Sequence, residues 1–116
     1  MIASSKFAVF ALLFAAGSAC AQEEDPHFDR VVRPWMEKFV DCEKAQLVTV
    51  ANTDVSLNEA ANAAFSACKE ERRLLTNVYQ RPPYSLGTED AEGIVQELVD
   101  ELRPLVEKDI RHLRGQ

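Results

Sequence analysis

Two cysteines, Cys42 and Cys68, set the tightest constraint on how this chain can fold. They lie in two stretches of helical spacing, separated by the turn-forming run Thr53-Asp54-Val55-Ser56. Counted from the middle of that run, Cys42 is twelve to thirteen residues back and Cys68 thirteen to fourteen forward. Antiparallel helices rise equally, ~1.5 Å per residue, so both sulfurs arrive at nearly the same height. That is where two Cα atoms come within disulfide range. The spacing predicts a helix hairpin stapled by Cys42–Cys68. Its first helix runs from Pro34 to about Asn52 and its second from Leu57 to about Tyr79.

A staple of this kind needs an oxidising compartment, and the N-terminus points to one. Lys6 precedes the apolar run 7–16, which falls short of the ~20 residues of a stable membrane anchor. Gly17 and Ser18 break the run, and Ala19-Cys20-Ala21 offers the small side chains that a signal peptidase accepts. Residues 1–21 therefore read as a secretory signal, cleaved after Ala21 to leave Gln22 first. The alternative is a lipoprotein signal with Cys20 lipidated and retained, although Gly17 stands where such signals usually carry Leu. Export to the periplasm is the expectation, with a lipid anchor through Cys20 as its alternative. Cleavage reduces three cysteines to two, an even number that suits one bridge.

Residues 22–116 are expected to form a single small helical domain, with 22–33 a mobile or partly helical lead. So short a chain buries little core, which gives the bridge a physical purpose. Without Lys6 it carries 12 Lys plus Arg against 19 Asp plus Glu, a formal charge of −7. That acidity argues against nucleic acid or an anionic membrane as partner.

In the first helix Trp35, Phe39, Cys42, Gln46 and Val50 fall on one stripe, with Met36, Val40, Leu47 and Ala51 beside it. Glu43 lies inside this apolar arc. It reads either as a buried acid with a shifted pKa or as a rim residue, paired for instance with Arg72. Ser56-Leu57-Asn58-Glu59 is a capping box that starts the second helix. Pro82 and Pro83 end it, and Pro82-Pro83-Tyr84 reads as a stiff connector rather than a peptide ligand. Thr88 is placed to cap a third helix, with Pro104 inside it predicting a kink or break near Leu102–Arg103. The fold class is thus all-α: a stapled antiparallel hairpin plus a third, Pro-kinked amphipathic helix.

The apolar arc of that third helix spans about 160° on a helical wheel, against the ~100° that covers one core face. Val95, Val99, Val106 and Ile110 are the residues expected to be left over, as a surface for a second copy or another protein partner.

No catalytic constellation is visible. His27 and His112 stand near opposite ends with no ligand spacing, the cysteines lack C-x-x-C spacing, and no phosphate loop occurs. No metal, cofactor or catalytic residue is expected, and no stable membrane span in the mature chain. The pattern Cys42-x-x-Ala45, a short turn, Asn62-Ala63-Ala64-Phe65-Ser66-Ala67-Cys68, then Glu71-Arg72 and Leu75 resembles small exported α-helical proteins of proteobacteria, which carry a single disulfide and no assigned function. The resemblance implies export, helices and a bridge, and transfers no site residue. A second likeness, of type rather than motif, is to acid-stress periplasmic chaperones of HdeA type. Near pH 2, protonated carboxylates would leave this chain at about +14, enough self-repulsion to loosen a compact state. The leading expectation is a non-enzymatic interaction, structural or inhibitor-type protein of the periplasm, with the acid-stress chaperone as its alternative.

Overall fold

A computed structural model describes residues 26–116. The signal segment, the Ala21–Gln22 cleavage point and Cys20 lie outside the described residues. Phe28–Val32 make a single π-helical turn that leads into α1, Arg33–Ala51. Pro34 falls in the first turn of α1, where its missing N–H leaves no bond unmade. Helices α2 (Leu57–Ala67), α3 (Lys69–Gln80) and α4 (Thr88–Leu113) follow. No strand occurs among the described residues, and the fold is all-α.

The bridge forms as expected, Cys42 to Cys68, with Cα atoms 5.9 Å apart. The second limb of the hairpin, however, is two helices rather than one. At Cys68 the backbone swings to φ −109°, ψ 25°, and its N–H bonds Phe65 O, three residues back, at 3.1 Å. The Arg72 N–H then takes the Cys68 carbonyl at 3.0 Å and starts α3. Helix α2 buries Ala60, Ala61, Ala64 and Phe65, and α3 buries Leu75, Thr76 and Val78.

Local signals fix the start of α2. Ser56 Oγ accepts from the Glu59 N–H at 3.1 Å, and the Ser56 N–H donates back to Glu59 Oε1 at 3.3 Å. Ser56→Ala should lower stability by about 1 kcal/mol. Paired urea melts would show it, and a loss below about 0.3 kcal/mol would mean the box is ornamental.

Two expectations for α4 need correction. Gly87, not Thr88, flanks its start, and Thr88 Oγ1 accepts from Gln80 Nε2 at 3.0 Å instead of capping. Nor does Pro104 break the helix, which runs on to Leu113. Proline removes the N–H that would reach Asp100 O, but both residues lie on the exposed face, where that carbonyl is open to solvent.

Arg114, just past α4, sets the direction of packing. Its Nε donates to Ala51 O at 3.0 Å and its Nη2 to Thr53 O at 3.1 Å. These are carbonyls at the C-terminal end of α1, where the helix dipole favours a cation. The C-terminal ends of α1 and α4 therefore lie together, so these helices are parallel and α2–α3 forms the return limb. Phe39, Leu75, Ile110, Val32, Val78 and Val95 are the largest fully buried apolar side chains, and the Phe39 and Phe65 rings stand 6.4 Å apart. Trp35, expected in the core, is only half-buried, with Lys38 Nζ 4.4 Å from the centre of its ring.

Candidate functional site

The strip expected to be free on α4 is not free. Val95, Val99, Val106 and Ile110 are all between 0 and 6 % exposed and form the core face of the helix. The apolar residues that α4 leaves exposed are Ile94 at 37 % and Leu105 at 40 %, both at the other edge of the arc, and Leu113 at 48 % in its last turn. The polar neighbours of the arc explain which edge closes. Gln96 Oε1 accepts from Arg72 Nη2 of α3 at 2.7 Å, and Arg103 Nη2 donates to Asn62 Oδ1 of α2 at 2.6 Å. On the wheel Gln96 and Arg103 flank the Val99–Ile110 edge, so the return limb lies over that edge.

Glu43 is buried, 2 % exposed, and neither carboxyl oxygen finds a hydrogen-bond partner among the described residues. Of its two readings, the buried acid holds and the pairing does not, because Arg72 bonds Gln96 instead. Burial, and secondarily the negative charge of Glu71, push its pKa up to about 8. Beside it, Cys42 Sγ, Cys68 Sγ and a Glu71 carboxylate oxygen all lie within 4.8 Å of one another. Metal ions bind thiolates, and two sulfurs joined to each other offer none. The trio is a disulfide with an acid beside it.

Elsewhere among the described residues a groove lies between α3 and α4, with a volume of about 700 Å³. Lys69, Arg72, Arg73, Thr76, Asn77 and Gln80 line it from α3, at the i, i+3, i+4, i+7, i+8, i+11 spacing of one helix face. Thr88, Glu92, Gly93 and Gln96 line it from α4. Two cross-groove bonds, Arg72 to Gln96 and Gln80 to Thr88, hold the walls in antiparallel register. The register puts Thr76 level with Glu92 and Gly93, and three cations at one end. Arg73 is braced by Glu70, bonded at 3.1 and 2.6 Å, which holds the Glu70 carboxyl below its ordinary range. Lys69 and Arg72 form no ion pair among the described residues.

The lining thus has three cations to one carboxylate, on a chain whose formal charge is −6. It holds hydroxyl, amide, ammonium and guanidinium groups, an arrangement that can bind a polar anionic surface. The polar stripe from Lys69 to Gln80 was visible in the sequence; what was not visible is that α4 walls it in. No family model matches this chain, and neither a curated protein nor a solved structure does.

Proposed function

We propose that this chain is an exported interaction protein of the periplasm, structural or inhibitory in kind and not an enzyme. Its braced helical body presents the α3–α4 groove to a protein partner. The observation that carries the reading is the local reversal of charge: a hydrogen-bonding groove with Lys69, Arg72 and Arg73 at one end, on a chain of formal charge −6. A field of opposite sign to the rest of a surface steers and orients a partner. The bridge fits an oxidising compartment, and no helix among the described residues is long and apolar enough to cross a membrane.

Site-specific photo-crosslinking tests the proposal. A benzophenone side chain at Asn77, inside the groove, should yield a discrete adduct in envelope extract, and one at Asp54, in the α1–α2 turn, should not. Lys69→Glu should abolish the Asn77 adduct. Identical adducts from both positions, or no adduct from either, would sink the proposal.

A further inference from the structure

Gly93 is the sixth residue of α4 and lines the groove. After proline, glycine is the least favourable residue for a helix interior. Packing within the chain does not explain it: a Cβ built at Gly93 would meet nothing within 4 Å. Its backbone is not in the left-handed region that favours glycine either, unlike Gly115 at φ +76°. A residue that weakens its own helix and leaves empty space beside it suits close approach by something outside the chain.

We infer that the groove takes an acidic protein segment, which sets a small residue against the bare α4 backbone at Gly93 and its carboxylates on Lys69 and Arg72. The inference rests on the groove being a docking surface, and adds the chemistry of what docks. Lys69 and Arg72 present cationic donors, while one Nη2 of Arg72 is held by Gln96. Gln96, in turn, donates to Asp100 Oδ1 at 2.9 Å, so the Arg72 guanidinium is oriented before anything binds. Such a fixed fork favours a carboxylate over a diffuse negative surface. Gly93 lies three residues from Gln96, about 4.5 Å along the axis. An extended segment covers that in one or two residues, at ~3.3 Å each. The segment therefore carries Asp or Glu within two residues of Gly, Ala or Ser.

A random twelve-residue peptide library, displayed on phage and selected on the purified disulfide-bonded protein, tests this. Selected sequences should combine Asp or Glu with an adjacent small residue. Lys69→Glu/Arg72→Glu should weaken their binding at least tenfold. Gly93→Ala should raise the melting temperature by several degrees and yet weaken the same peptides at least tenfold, a pair of effects that a merely structural glycine would not give. Acidic peptides that bind Gly93→Ala as tightly as the native protein would overturn the close approach while leaving the groove as the docking surface. Basic or apolar sequences whose binding still depends on Lys69 and Arg72 would overturn the acidic segment alone. Binding indifferent to Lys69 and Arg72, or no enrichment at all, would overturn both the segment and the groove.

Discussion

Glu43→Met should make this protein more stable, by about 2–4 kcal/mol at pH 7, and should flatten its dependence on pH. The carboxyl is buried, neither oxygen has a partner among the described residues, and its pKa stands at about 8 against an ordinary 4.5. In the unfolded chain it ionises near 4.5, so at pH 7 folding must return a proton to it. That costs about 3 kcal/mol at 1.36 kcal/mol per unit. The sign follows from proton counting. Between pH 4.5 and 8 the folded state holds a proton that the unfolded state has lost, so stability falls as pH rises. The contribution is full below about 4.5, is lost as pH rises through about 8, and changes no further above that. Methionine nearly conserves the volume and removes both the titration and the unpaired oxygens. Glu43→Gln, which keeps an unpaired polar group, should recover only part of the gain. Urea melts at pH 5, 7 and 9 decide: parallel pH profiles for the native chain and Glu43→Met would show that Glu43 does not titrate as its burial demands.

The same sign bears on acid stress. A chaperone that loosens in acid needs carboxylates whose protonation weakens the fold. Glu43 does the reverse, since acid keeps it in the neutral form that the folded state prefers. Glu70, held below its ordinary range by Arg73, has the right sign but stands fully exposed on α3, where solvent screens its pair. Between about pH 8 and 4.5, therefore, Glu43 adds stability as pH falls, and below that range its contribution no longer changes.

What the sequence shows and what it hides divides along physical lines. The hairpin, its turn and its bridge were legible because each rests on local signals: Ser56 and Glu59 three residues apart, and cysteines at matched distances from one turn. The break at Cys68 was not, because Ala-rich residues before it and Leu-bearing residues after it all favour helix, and only packing distinguishes the halves. On α4 the width of the apolar arc was legible and its covered edge was not. Hydrophobicity is the same at Ile94 and Ile110, whereas Gln96 and Arg103, whose bonds reveal where the return limb lies, look like ordinary surface residues until the partners Arg72 and Asn62 are seen. Glu43 could be placed in an apolar arc but not assigned a fate, since that depended on whether Arg72 turned toward it. The groove escaped notice for a related reason. A polar helix face reads as solvated until a second wall is known.

Removing the bridge should be the most damaging change open to this fold. In the chain-entropy account, closing a loop of 26 residues restricts the unfolded chain by about 3.5 kcal/mol. Domains of this size are often stable by only about 5 kcal/mol, so most of that margin would go. At ~4–8 °C per kcal/mol, Cys42→Ala/Cys68→Ala should melt some 15–25 °C lower. Either single substitution should do nearly as much, because half a bridge constrains nothing. The damage should also be uneven. Cys68 lies where α2 gives way to α3; the cap N–H groups there bond Phe65 O and Ser66 O, and the Cys68 carbonyl takes the Arg72 N–H. With the sulfur released, that joint is free to open before the rest of the bundle does. Hydrogen exchange on the double variant should therefore speed first at the amides from Ala67 to Arg72, while α4 amides near Val99 and Val106, buried against the core, exchange only with global unfolding. Uniform acceleration across all four helices would mean that the bridge acts on the unfolded chain alone. If the purified native protein titrates two free thiols with Ellman's reagent, the matched register of the hairpin is itself wrong.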